Sequence, residues 1–181
     1  MKIWIDTETT GLNRWKHGIV QLAFLIEKDE EVQYEEVLYS NPIGKQIDKE
    51  ALKIHGTTEA QLAQYDPWPL VAIRFTEFLG TQVDKYNPLD KLVPCGYNVD
   101  FDLGMLRGNW PDKYFGSFFA RPTIEVMTYV AEEVSRGLKL KSYSLEEVCK
   151  HFEIPLEAHN ALADIKATRA LYYKLKGKNS G

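Results

Sequence analysis

The chain has 181 residues, 44% hydrophobic and 27% charged, a globular composition that excludes a disordered, collagen-like or disulfide-stapled protein. Its 22 basic and 26 acidic residues leave a formal charge of −4. That balance argues against a broad basic face gripping long nucleic acid, but not against a compact site working through bound cations.

The hydrophobic pattern predicts a first strand over residues 2–6, apolar on both sides and therefore central to a sheet. Residues 19–26 and 32–39 predict two further strands, joined as a hairpin by the acidic stretch 27–31. A short helix is expected from Asp48 to the glycine at 56, and Thr58 with Gln61 has capping-box spacing for the next. Asp66 and Pro67 open a longer helix with an apolar stripe of Val71, Phe75, Phe78 and Leu79. Residues 92–96 predict a buried strand in which Pro94 is awkward. A helix follows over 100–107, and the aromatic, glycine-containing stretch 109–121 reads as a loop. Ser144 and Glu147 have capping-box spacing for another helix, and residues 160–176 predict the last. With no repeat and no linker, the order fits one α/β domain over 1–181 with a mixed sheet.

No run approaches ~18 apolar residues, so no membrane-spanning helix is expected. Asp6 interrupts any N-terminal secretory signal, and Cys95 and Cys149 form no paired motif, so a reduced, cytoplasmic protein is expected.

Three acidic blocks stand out. Asp6 and Glu8, in D-T-E-T-T-G-L, end the first strand, where residues i and i+2 share a side. Two carboxylates then converge where α/β sheets place their sites, and such like charges call for a cation. N-V-D-F-D at 98–102 follows the buried strand, and either Asp100 or Asp102 could supply a ligand, Asp100 being the better placed as a helix cap. H-N-A-L-A-D at 159–164 opens the final helix.

These blocks, in this order, resemble the DEDDh (DnaQ-like) 3′→5′ exonucleases of the ribonuclease H-like superfamily, and D-T-E-T-T-G-L is closest to the DNA proofreading branch. The flanks I-H-G-T-T at 54–58 and Y-S-L-E-E-V at 143–148 agree. The resemblance implies an α/β, ribonuclease H-like, five-stranded mixed sheet with helices on both faces. It implies that Asp6, Glu8, Asp102 and Asp164 hold two divalent cations, Mg²⁺ or Mn²⁺, and that His159 deprotonates the attacking water. It selects Asp102 over Asp100 and places Thr9, Thr10, Leu12, His55 and Phe101 at the substrate. The implied reaction is metal-dependent hydrolysis at the 3′ end of single-stranded nucleic acid, DNA before RNA, releasing nucleoside 5′-monophosphates. Rival readings are an RNA 3′-end trimming enzyme and a silent nucleic-acid-binding subunit. No long polymerase-binding tail is visible, so the domain is expected to act alone or to dock, on a polymerase or a second copy, through its surface.

Each residue also has a plainer reading. Leu12 and Phe101 could be core, His55 a neighbour of a helix-ending glycine, and Arg136, Lys139 and Lys141 a solvated loop instead of phosphate contacts. His17 and His151 lie in no motif. The sequence departs from the family at Tyr97, where histidine is common, at Gln21, where glutamate is common, and at R-P-T-I-E-V, where an Asp-Thr pair is common.

Overall fold

The computed structural model describes residues 1–157 and 159–178. Five strands form one mixed sheet in the order β3-β2-β1-β4-β5. The strands are β1 (Lys2–Thr9), β2 (Ile19–Lys28), β3 (Glu31–Tyr39), β4 (Val93–Gly96) and β5 (Ile124–Glu125). β2 runs antiparallel to β1 and β3, whereas β4 runs parallel to both β1 and β5. The β2–β3 hairpin turns at Asp29 and Glu30, which both take positive φ, as tight hairpin turns require.

β1 is central, and its alternation divides the core. Ile3 and Ile5 pack with Phe24, Phe75 and Leu103 on one face. Trp4 packs with Leu25, Val130, Ile165 and Leu171 on the other. The first face is covered by α3 (Trp68–Gln82), α4 (Val99–Asn109) and α5 (Asp112–Phe118). The second is covered by α6 (Val126–Ser135), α7 (Leu145–His151) and α8 (Ala161–Lys178). The short helices α1 (Lys49–Ile54) and α2 (Glu59–Leu62) follow β3; Asp48 caps α1, and Thr58 with Gln61 completes a reciprocal capping box on α2. No described helix is long and apolar enough to cross a membrane.

Several expectations need correction. The stretch 109–121 contains α5, whose Phe115 and Phe118 are buried against Trp110 and Phe119. The resemblance implied a fifth strand, but the positions of β5 and α6 were not foreseen. Asp100 is not the cap of α4: that position belongs to Asn98, in the left-handed conformation, and Asp100 lies exposed in the first turn. At α7 Ser144 accepts from the Glu147 amide, but the Glu147 carboxylate accepts from Lys141 instead of closing the box. Pro94 fits β4 for a simple reason. The Val93 amide donates to the Met1 carbonyl, just ahead of β1, so by alternation residue 94 faces β5, whose pairing begins only at Cys95.

Candidate active site

β1 and β4 are parallel, and their C-terminal ends open on one cavity of about 420 Å³. Strand alternation sets Asp6 and Glu8 on one side of β1, with Thr7 between them turned the other way. Asp164 comes from the first turn of α8, whose start is fixed by Asn160: the Ala163 amide donates to its Oδ1 at 3.2 Å. One carboxylate oxygen each from Asp6, Glu8 and Asp164 lies within 4.8 Å of the others. Asp102, buried in the first turn of α4, joins from across the sheet end and lines the same cavity. Its Oδ1 accepts from the Thr7 amide at 2.8 Å and the Thr7 hydroxyl at 2.7 Å.

The second block is anchored by a residue the sequence reading passed over. The Glu125 carboxylate accepts from the amides of Asn98 at 2.9 Å, Val99 at 2.7 Å and Met127 at 2.9 Å. One side chain thus caps both α4 and α6, and it stands within the R-P-T-I-E-V stretch that departs from the family pattern.

The acids resist ionisation together. Burial raises the Asp6 pKa well above the usual carboxylate range, and Asp102, Asp164 and Glu8 raise it further. Glu8 is pushed up to about 7 by burial, then by Asp164 and Asp102. Burial also raises Asp102, against the opposing hydrogen bonds from Thr7. Asp164 rises to about 6 through burial, countered by the His159 ring and amide. Among the described residues no lysine or arginine forms an ion pair with any of the four. Crowded, unneutralised oxygen donors of this kind fit hard divalent cations such as Mg²⁺ or Mn²⁺, and the chemistry of the set offers nothing to a thiophilic ion.

His159 is exposed, has a positive φ of 66° and lines the cavity beside Asp164. His55 is half-buried, with Nδ1 2.8 Å from the Thr57 hydroxyl and Nε2 3.3 Å from the Thr9 carbonyl. Burial lowers its pKa, the Thr9 contact opposes this, and the nearby His159 adds to the lowering. Phe101 is half-buried on the cavity wall, and Leu12 is 84% exposed. Thr9 and Thr10 are buried, and their hydroxyls donate to Gly11 and Gln46 carbonyls, so those side chains shape the turn instead of facing the cavity.

Other residues complete the cavity walls. Tyr97 donates its hydroxyl to the Tyr143 carbonyl at 2.5 Å, closing the side toward α7, and Met127 and Leu156 complete that wall. Of the basic residues singled out between 136 and 141, Arg136 pairs with Glu132 and Glu133 at the end of α6.

Comparison with known proteins bears on the fold and the family. The PolC-type DNA polymerase III of Latilactobacillus sakei is 28% identical over 174 residues, covering 94% of this chain but 11% of that protein. The Bacillus subtilis PolC-type enzyme gives the same identity and coverage. The chain thus spans about a tenth of the length of the curated relatives it matches. Among solved structures, E. coli exonuclease I in complex with single-stranded DNA superposes with a TM-score of 0.78 at 23% identity, over 98% of this chain and 40% of that one. Exonuclease X in complex with 5′-overhanging duplex DNA gives 0.67 at 23%, over 100% of this chain and 94% of that one. These likenesses establish the five-stranded mixed fold. The pattern of the RNase T-type exonuclease family matches residues 3–172, nearly the whole chain, and the chain belongs to that family.

Proposed function

We propose that this domain is a metal-dependent 3′→5′ exonuclease that acts on single-stranded ends, DNA before RNA, and releases nucleoside 5′-monophosphates. The observation that carries the reading is the convergence of carboxylate oxygens from Asp6, Glu8 and Asp164 within 4.8 Å, with Asp102 beside them and His159 on the same cavity. These four acids would hold two divalent cations, which supply the charge that stabilises attacking and leaving oxygens in an in-line displacement. His159 is exposed to incoming water and takes its proton. Asp164, on the same helix start, sets a carboxylate on the same cavity as the imidazole. Phe101 and Leu12 offer apolar surface to the terminal nucleotide, and His55 borders the turn at Thr9. Residues 1–181 act as one catalytic unit, in solution or docked to a polymerase. The likeness to exonuclease I, solved in complex with single-stranded DNA, and to PolC-type DNA polymerases supports DNA as the substrate.

The test is digestion of matched 5′-labelled DNA and RNA oligonucleotides with Mg²⁺ or Mn²⁺. A ladder shortening from the 3′ end, stronger on DNA and abolished by chelator, is the expected result. A ladder on RNA alone would favour an RNA-trimming enzyme, and binding without cleavage a silent subunit.

A further inference from the structure

A second cavity, of about 380 Å³, lies beside the catalytic one, lined by Leu12, Arg14, Trp15 and Met105 among others. Phe101 borders both, so the two form a continuous track across one side chain. The chain has four tryptophans, of which Trp4, Trp68 and Trp110 are buried at 7% exposure or less while Trp15 is 66% exposed.

The loop that displays Trp15 is braced, not loose. The Asn13 amide donates to the His17 ring at 3.0 Å, and the His17 amide to the Asn13 carbonyl at 2.8 Å. Asn109 of α4 donates to the carbonyls of Arg14 at 3.5 Å and His17 at 3.2 Å. Lys45 ties the Trp15 carbonyl to that of Gly108. A Cβ at Gly108 would lie 2.1 Å from the Arg14 carbonyl oxygen, so the helix gives up a side chain to let the loop dock. The Arg14 guanidinium carbon sits 5.4 Å from the Trp15 ring centroid, and Arg14 forms no ion pair among the described residues. A solvent-facing indole on a braced loop, with a guanidinium over its ring, offers a base a surface to stack on and its phosphate a cation.

We propose that Arg14 and Trp15 form a subsite for the nucleotide next to the one being released, its base stacked on the Trp15 indole and its phosphate facing the Arg14 guanidinium. The inference rests on the exonuclease reading. Stacking of this kind is indifferent to base identity, because every base has a π-face.

Trp15 is its own reporter. In the slow His159→Ala variant with Mg²⁺, tryptophan emission is followed while thymidine monophosphate or a thymidine tetranucleotide is added, and tetranucleotide binding is measured separately by anisotropy of a 5′-labelled copy. The tetranucleotide is expected to quench the emission and the monophosphate to leave it nearly unchanged, with the quench lost in His159→Ala/Trp15→Phe. In the active enzyme Trp15→Ala is expected to raise KM for the tetranucleotide about tenfold with little change in kcat, and Trp15→Phe to restore most of it. Binding without quenching, or an unchanged KM in Trp15→Ala, overturns the subsite and leaves the nuclease reading standing. No binding by anisotropy overturns the nuclease reading and the subsite together.

Discussion

Thr7 holds Asp102 by two hydrogen bonds to a single oxygen, one from its amide and one from its hydroxyl. The residue between two of the acids thereby orients another, across the junction of β1 and α4. The second Asp102 oxygen is left uncommitted to Thr7.

Thr7→Val keeps the shape of the side chain and removes one of the two bonds. It is expected to cost about 1 kcal/mol of stability and to lower kcat/KM about tenfold. Steady-state kinetics beside a thermal melt will show whether the catalytic loss exceeds the loss of fold.

Asp6→Ala, Glu8→Ala, Asp102→Ala and Asp164→Ala should each abolish cleavage while the domain still folds, because all four share the same cations. Asp100→Ala should lose far less than Asp102→Ala, since Asp100 is exposed in the first turn of α4. The opposite ranking of those two would move the ligand role to Asp100.

Removing the general base lowers rates by about 10²–10⁴-fold, and His159→Ala should fall in that range while still binding Mn²⁺. Calorimetric titration of the variant with Mn²⁺ separates lost chemistry from lost metal. Unchanged turnover would remove His159 from the mechanism.

The crowded acids also set a pH dependence. Glu8 and Asp164 titrate at about 7 and 6 in the folded protein, above their ordinary values, and Asp6 is raised as well. A carboxyl with a raised folded pKa favours the fold below its unfolded pKa, and that contribution is lost as pH rises through the folded value. In chelator, wild type should therefore lose stability relative to Asp6→Asn between pH 5 and 8, on a scale of about 2–4 °C per kcal/mol. Saturating Mn²⁺ should reverse the order, since a ligand at 100 times its dissociation constant adds about 2.7 kcal/mol. Melts of both proteins across that range decide it; parallel curves in chelator would mean the acids do not repel.

Away from the site, Glu27 is 1% exposed and accepts from Lys2 at 2.5 Å, Tyr173 at 2.5 Å, Arg169 at 2.6 Å and Trp4 at 3.1 Å. Burial alone would raise its pKa, but hydrogen bonds from Lys2, Tyr173 and Arg169 bring it down to about 2. Its contribution is present above the ordinary carboxylate range and lost as pH falls toward 2. Glu27→Ala leaves the buried Trp4 indole and the half-buried cations of Lys2 and Arg169 without their acceptor and should cost about 1–3 kcal/mol, read from denaturant unfolding, with catalysis per folded molecule preserved.

Strand alternation put Asp6 and Glu8 on one side of β1, whereas Asp102 and Asp164 were legible only through the resemblance to the family's ordered blocks. The sequence also carried β1 to β3, the long α3 and the capping box at Thr58, each marked by local chemistry. α5 was lost because a run of aromatic residues broken by Gly116 has no clean helical stripe, and its order comes from burial against Trp110. β5, two residues long, is too short to have a period and exists because Cys95 and Gly96 pair with it. The role of Thr7 depends on an aspartate 95 positions away, which no local pattern reveals. Thr9 and Thr10 were read as substrate contacts from their motif; no local pattern shows that their hydroxyls donate to the Gly11 and Gln46 carbonyls.

The shared cap at Glu125 has a consequence for how the domain breathes. Its carboxylate holds amides at the mouths of two helices that cover opposite faces of the sheet. Neither helix end can fray without releasing the other, so the amides of Asn98, Val99 and Met127 should exchange with solvent deuterium in a single opening event, and Glu125→Ala should split that event into independent, faster ones. The segment that carries Asp102 is then only as quiet as a helix on the far side of the sheet.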